Sequence, residues 1–395
     1  MSKQYKLTIR ACFTGYIVQA IINNFAPLLF LTFHRQYGIP LSQITILITV
    51  NFALQLLIDF LSAFFVDKIG YRVAMLLAHG FTVVGFGLLA FLPEAMSNPF
   101  VGLLIAVCFY AVGGGLLEVV VSPIVEACPN DHKEQNMSLL HSFYCWGSVG
   151  VVALSTFYFS IFGTENWRIL ALVWALVPFM NGLLFLKVPI ATLLPEGEKS
   201  LSVVQLLKNK LFWLFLLLMF CAGASEQAVS QWASTFVEQG LGVTKTIGDL
   251  AGPCMFSILM GISRVFFGKY GHRMNLERMM FVSGLLCVLS YLLIGFTASP
   301  VFGLLGIALC GFSVGILWPG TFSKASESIK RGGTAMFAIL ALAGDLGCSG
   351  GPTFVGMMAA RFDDNLRKGI LWAVVIPIAL LFLLLLLRTY RKKIT

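Results

Sequence analysis

Apolar runs of about 20 residues, the length a helix needs to cross a bilayer, recur along the whole of this chain. Twelve spans are expected, at 8–33, 44–66, 73–92, 100–127, 136–162, 168–187, 211–237, 249–268, 279–298, 300–325, 334–360 and 369–388. Composition supports them. Of 395 residues, 58% are hydrophobic and 11% charged, where a soluble protein carries roughly 25% charged residues. The expected fold class is an all-α, polytopic membrane protein with the lipid bilayer as its partner.

Most connections are short. The exception, Val188 to Lys210, holds two Pro, a Glu-Gly-Glu-Lys cluster and then SLSVVQLLKNK, a weakly amphipathic piece suited to the membrane surface. It separates an N-terminal six-helix half, 1–187, from a C-terminal one, 211–395, with 188–210 as a cytoplasmic linker. Lys and Arg placement sets the orientation. With the N-terminus inside, Arg35, Arg168, Lys245, Arg361, Arg367 and Lys368 fall outside, Arg264 falls within a span, and the rest lie inside. Both termini are therefore expected in the cytoplasm, in a plasma (inner) membrane. The same bias accounts for the net charge of +9 without nucleic acid. The nine Cys residues sit mostly in apolar runs, without CxxC or Cys/His spacing, and read as small buried hydrophobes. The opening MSKQYKLTIR is basic, but the apolar run after it is long and lacks a cleavage site. It reads as a retained first helix.

The run Tyr110–Cys128, YAVGGGLLEVVVSPIVEAC, carries a carboxylate, Glu118, near its middle. Charging a carboxylate at bilayer depth costs at least ~2.5–3.5 kcal/mol, a cost rarely kept without a use. At helical spacing Ala111, Gly114, Gly115, Glu118 and Ser122 share one small, polar face, expected to look into the protein. Pro123 removes a backbone hydrogen bond just beyond and is expected to bend the helix. Glu118 is the first candidate for proton coupling. The plain alternative is a protonated Glu bonded to a neighbouring helix.

Glu226, in SEQAVSQW, is followed by Gln227 and Gln231 one turn apart and by Trp232. Amides and a carboxylate suit sugar hydroxyls, and an indole suits a sugar's C–H face; interhelical hydrogen bonding is the alternative. Asp345, in GDLGCSGGP, reads as a second protonation site, a gate or a structural group. Asp59 reads as a gate or a packing group, His141 as a solute ligand or a core hydrogen-bonding residue, and Trp318 as a stacking wall. Asn51 and Gln55 read as cavity-facing groups or, the reading preferred, as partners of each other. No nucleophile–base pair, phosphate loop or metal cluster is legible, so an enzyme is not expected, nor is ATP-driven transport unless a partner subunit supplies the nucleotide-binding domain.

The halves repeat. DKIGYR, Asp67 to Arg72, returns as GKYGHR, Gly268 to Arg273, with K-x-G-x-R 201 residues apart, and Pro123 is mirrored by Pro319. Two parallel six-helix repeats are a transporter architecture. These loops resemble the signature of the major facilitator superfamily: an acidic residue, a basic one, then Gly and Arg. Ala63 stands at the pattern's first Gly, and the second copy keeps Arg264, Gly268, Lys269, Gly271 and Arg273 without the acid. The resemblance implies two pseudo-symmetric six-helix halves. Asp59, Asp67, Arg72, Arg264 and Arg273 are the gating candidates, with Asp67 expected at a helix N-terminus and paired with a nearby Arg.

GLLEVVVSPIVEA followed by LLHSFYCWGSVG is similar to spans four and five of the fucose permease branch, which are hexose–proton symporters. That resemblance implies Glu118 as the coupling carboxylate, with His141 and Tyr144 in place of two sugar-binding amides. The Asn23–Asn24 pair also fits. The branch's second intramembrane acid does not, since Ala26 stands there.

The expected function is secondary active transport of a small polar solute, a monosaccharide first, by proton-coupled symport with alternating access. No cofactor or metal is expected, and the expected state is a monomer. Glu118, Asp345 and Glu226 are the proton-coupling candidates, with sodium as the alternative ion. Asn23, Asn24, His141, Tyr144, Gln227, Gln231, Trp232 and Trp318 are the solute-binding candidates. The rivals are a proton-driven exporter of drugs or metabolites and a non-transporting sensor on the same fold. A polar lining weighs against the first, and intramembrane acids in both halves against the second.

Overall fold

The structure is a computed structural model. It describes residues 5–129, 132–193, 200–233, 236–237, 245–297, 299–363 and 365–392, and every regular element among them is a helix. Eleven helical stretches among the described residues are long and apolar enough to cross a bilayer. The remaining expected run, 249–268, lies within a further helix, Lys245–Tyr270. The chain divides into two compact units. Unit 1 is Met1–Asp131, Trp146–Ser200 and Gly333–Ala338; unit 2 is His132–Cys145, Leu201–Gly332 and Ile339–Thr395.

Unit 1 is built from α1 (Lys6–Asn24), α2 (Phe30–Tyr37), α3 (Leu41–Ile69), α4 (Tyr71–Ala95), α5 (Pro99–Ala127), the second part of α6 (Lys133–Phe162) and α7 (Trp167–Lys187). The first expected span is interrupted: a 3-10 turn, Ala26–Leu29, separates α1 from α2. Pro27 brings no N–H to that turn, and the Asn24 amide donates back to Ala20 O at 2.8 Å.

The centre of unit 1 is α5. Asn98 caps it by accepting from the Phe100 N–H, with Pro99 at the first helical position, the usual start chemistry. From there the helix is continuous through Pro123. Its three consecutive glycines each admit a different neighbour. A Cβ on Gly113 would come to 2.6 Å from Ala78 O of α4, one on Gly115 to 2.8 Å from Ile58 of α3, and one on Gly114 to 3.2 Å from Gln55 and 3.3 Å from Gln19. Without side chains there, the α4 and α3 backbones close on α5 at Gly113 and Gly115, and Gly114 leaves room for the Gln55 and Gln19 side chains. Ala111 and Ser122 are buried on the expected face, and Leu116, Leu117 and Val119 are buried as well. Those apolar side chains therefore meet neighbouring helices.

Unit 2 takes the first part of α6 and adds α8 (Val203–Lys208), α9 (Lys210–Ser230), α10 (Lys245–Tyr270), α11 (Leu276–Phe296), α12 (Pro300–Val314), α13 (Leu317–Ser328), most of α14 (Gly333–Ala360), α15 (Leu366–Ala373) and α16 (Val375–Lys392). The amphipathic piece of the linker is α8, opened by a capping box between Ser202 and Gln205. Gly344, Gly347 and Gly351 of α14 lie against the α9 backbone at Gly223, Phe220 and Ala224, a close approach that small residues permit. Two breaks fall beside candidate residues. The helix α9 stops at Ser230, leaving Gln231 and Trp232 in a turn, and the chain between α12 and α13 breaks at Gly315 and Ile316, just before Trp318.

Candidate functional site

In unit 1 five polar side chains, Gln19, Asn23, Asn51, Gln55 and Glu118, form one connected chain. Gln19 Nε2 donates to Glu118 Oε2 at 3.1 Å and to Gln55 Oε1 at 3.1 Å. Gln55 Nε2 donates to Asn23 Oδ1 at 2.9 Å, and Asn51 Nδ2 reaches the same oxygen at 3.4 Å. Asn51 and Gln55 therefore do not pair with each other, as the sequence reading expected; both turn to Asn23. The reason is helical register. Asn51, Gln55 and Asp59 recur every fourth residue, so they form a stripe on α3 facing a second stripe, Gln19 and Asn23, on α1. Asp59 is wholly buried, and one of its carboxylate oxygens lies within 4.8 Å of one from Glu118. Asn24 points elsewhere, donating to Ser148 Oγ at 3.1 Å. Gln19 was not singled out from the sequence. Its signal was the four-residue spacing to Asn23 inside an otherwise apolar run.

In unit 2 the organising group is Arg264, only 4% exposed. Its Nε donates to Gly315 O at 3.1 Å, Nη1 to His141 O and Cys145 Sγ, each at 3.1 Å, and Nη2 to Glu226 Oε2 at 3.3 Å. The break between α12 and α13 supplies the Gly315 carbonyl. Glu226, half-buried and expected to couple protons, is thus one half of an ion pair, and the buried Arg264, expected to gate, is the other. The His141 ring lies against Phe322, centroids 5.8 Å apart, and Tyr144 is half-buried one turn on. Gln231 Nε2 donates to Gln227 Oε1 at 3.1 Å, so these two amides do meet. Trp232 Nε1 donates to Pro352 O at 3.0 Å. Trp318 is buried with its ring against Gly344, the residue before the half-buried Asp345. Lys324, not singled out from the sequence, is buried on α13 and bonds Glu327 at 2.6 Å and Glu277 at 3.4 Å.

The signature loop sits in unit 1. Asp67 accepts from Ser200 Oγ at 2.9 Å and from Thr334 Oγ1. Tyr71 OH bonds the same threonine hydroxyl at 2.7 Å. Thr334 is the second residue of α14, so the carboxylate of Asp67 lies at that helix's N-terminus, where a negative charge is favoured. Arg72 caps the C-terminal end of α7, donating to the carbonyls of Phe185, Leu186 and Val188 at 2.6, 2.8 and 2.9 Å. Arg273 is exposed in the 3-10 turn Gly271–Arg273.

Solved structures share this architecture. The fucose:proton symporter FucP of E. coli superposes with a TM-score of 0.81 over 98% of this chain and 99% of its own, at 15% identity. The proton:xylose symporter XylE, bound to 6-bromo-6-deoxy-D-glucose, superposes with a TM-score of 0.79 over 96% and 95%, at 11% identity. Such identities carry the fold alone. Among curated proteins, the membrane protein MosC of Rhizobium meliloti is 26% identical over 164 residues, spanning 42% of this chain and 40% of MosC. The Major Facilitator Superfamily profile matches residues 11–352. With the paired signature loops, the helical architecture and that match, the chain belongs to the major facilitator superfamily of membrane transporters.

Proposed function

We propose that this transporter carries a small polar solute, a monosaccharide first, by proton-coupled symport, with Glu118 as the proton carrier. The observation that carries the reading is the bond from Gln19 to Glu118, with the Asp59 carboxylate within 4.8 Å. Two carboxylates at that range repel when both are charged, so a proton shared between them is the inexpensive state. Gln19, Gln55 and Asn23 sense its presence, because an amide chain rearranges when one member must switch from donor to acceptor.

FucP and XylE are described as proton symporters of sugars, and the amide-rich lining of unit 1 supports a similar solute here. Asn23, Asn24, Gln227, Gln231, Trp232, His141, Tyr144 and Trp318 remain the solute-binding candidates, and Asp345 a second protonation candidate. Asp67, at the start of α14, acts as a latch in the transport cycle. The Lys and Arg bias supports cytoplasmic termini; the cell membrane, halves at 1–187 and 211–395 joined by 188–210, and a monomer as the working unit belong to the same proposal.

The test is uptake into proteoliposomes of purified protein. Fucose, xylose and glucose are offered with the outside acidified, and one of them is expected to accumulate until the proton gradient is collapsed. Solute that equilibrates but never concentrates sinks the coupling. A sugar that shifts thermal unfolding without entering the vesicles points to a sensor.

A further inference from the structure

Unit 2 has a basic corner built on its first and last spans. The short helix α8 ends in Lys208, and α9 begins at Lys210 after a turn at Asn209, whose side chain accepts from the Leu211 N–H at 2.9 Å. Helices α9 and α16 pack against each other. They are the first and sixth of six successive spans, so they run in opposite senses. The exposed Arg388, near the end of α16, therefore lies at the end of unit 2 that holds Lys208 and Lys210, which are exposed as well. No Asp or Glu occurs between Leu201 and Ser225, or from Asn365 to Thr395. Among the described residues these three cations make no ion pair, whereas Arg168 and Lys324 are each paired with Glu. Glu196 and Glu198, ahead of α8, lie outside the described residues.

The same corner has an apolar side. On α8, Val204, Leu207 and Lys208 share one face. Val204 is 62% exposed, while Leu206, on the opposite side, is wholly buried. The Trp213 indole, 51% exposed, donates from Nε1 to Leu207 O at 2.7 Å. It joins the exposed face of α8 to Leu217 and Phe220, which α9 leaves exposed at helical spacing below it. Hydrocarbon covers such a stripe, and a Trp at its end belongs at headgroup depth. The three cations are then level with the phosphates.

We propose that this corner binds the headgroup of an anionic phospholipid in the leaflet that α8 faces. Lys208, Lys210 and Arg388 hold the phosphate, and Val204, Leu207 and Trp213 cover the first carbons of the acyl chains. A zwitterionic lipid brings its own cation to a site that already has three, so charge selects against it. A soluble phosphate ester would leave the apolar face uncovered. The site shares no residue with the amide chain of unit 1, and its test reads lipid binding alone.

The test uses the full chain in lipid nanodiscs, with Trp213 as the reporter. Phospholipids brominated near the top of the acyl chain quench an indole on contact. Brominated phosphatidylglycerol and brominated phosphatidylcholine are each added as a minor share of the lipid, and the signal of Trp213 is the difference from Trp213→Phe. Phosphatidylglycerol is expected to quench it at a markedly lower mole fraction. Lys208→Gln, Lys210→Gln and Arg388→Gln should each reduce that preference about fivefold, the worth of one basic residue near an anionic surface. Lys330→Gln, at an exposed position elsewhere in unit 2, should leave it unchanged. Salt at about 1 M should abolish it, because charges are then screened beyond about 3 Å. All four positions are exposed, so the unfolding temperatures should match the parent's. Equal quenching by the two lipids overturns the proposal and leaves Trp213 an ordinary interfacial anchor. A preference that survives the triple variant overturns it too, and places the anionic lipid elsewhere.

Discussion

Arg264 donates to Glu226 across 3.3 Å, and its own carbonyl accepts from Ser138 Oγ at 2.7 Å. One residue of α10 is thus tied to α9 and to the first part of α6, with Gly315 as a further acceptor. Removing one partner of a buried ion pair leaves a charge uncompensated, at about 3–5 kcal/mol. Glu226→Gln should therefore lower the thermal unfolding temperature markedly in detergent. Arg264→Lys should do nearly as much, because an ammonium cannot fan out to several acceptors as a guanidinium does. The double change Glu226→Gln with Arg264→Met should recover part of the loss. A Glu226→Gln protein that melts like the parent would mean the pair is not structural, and Glu226 would return to the coupling candidates.

The amide chain makes a separate claim. Gln19→Leu removes one hydrogen bond to Glu118 and one to Gln55, and a buried acceptor that loses its hydrogen bond costs about 1–3 kcal/mol. Solute binding measured by calorimetry should weaken about tenfold. Thr14→Ala, which loses an exposed bond to Arg10 O, should bind as the parent does. Equal affinity in both variants would remove α1 from the solute site.

How much of this was legible follows from what a bilayer rewards. Every span must satisfy its own backbone in hydrocarbon, so length and apolarity alone reveal the spans. Two copies of K-x-G-x-R then gave the repeat. Partners are harder, because lipid-facing and helix-facing surfaces are equally apolar. Glu118 stood out as a charge at depth, but its donor, Gln19, is a single amide whose meaning depends on which helix lies opposite. Asn51 and Gln55 looked like each other's partners because one stripe is visible in sequence and the facing stripe is not. Arg264 was marked as part of a loop signature. That it turns to Glu226 and Cys145 depends on which helices lie opposite, and its further acceptor, Gly315 O, comes from a chain break where ordinary apolar residues and one Gly give no warning.

Asp67 and Thr334 can be tested as a pair. The carboxylate accepts the threonine hydroxyl at the start of α14, a charged hydrogen bond of about 1.5–3 kcal/mol. Asp67→Ala and Thr334→Val should each destabilise the protein, and the double variant should cost less than their sum. The excess, read from chemical unfolding, should be at least ~0.5 kcal/mol. Strict additivity would show that the contact contributes nothing of its own.

Orientation has its own measurement. In a background with the native Cys residues replaced, Ser97→Cys should react with a membrane-impermeant thiol reagent on intact cells, and Ser200→Cys should not. Ser97 follows α4, and Ser200 lies in the linker beside Asp67. The opposite pattern would invert the topology drawn from Lys and Arg placement.

The coupling proposal stands or falls with Glu118. If its proton links solute to gradient, its charge must differ between steps of the cycle. Glu118→Gln keeps the size of the side chain and can still accept from Gln19 through its amide oxygen, but it has no proton to release. Exchange of solute between equal pools should therefore survive in proteoliposomes, while accumulation against an acid outside should be lost. Solute binding should also lose most of its dependence on pH. Asp59→Asn tests the neighbour separately. If Asp59 only packs, gradient-driven accumulation survives that change; if the two carboxylates share the proton, accumulation falls there too, with exchange retained. A structural role for Glu118 predicts something else again: exchange, accumulation and thermal stability would fall together. Accumulation that persists in Glu118→Gln would rule it out as the carrier, and Asp345, with sodium as the ion, would be next to examine.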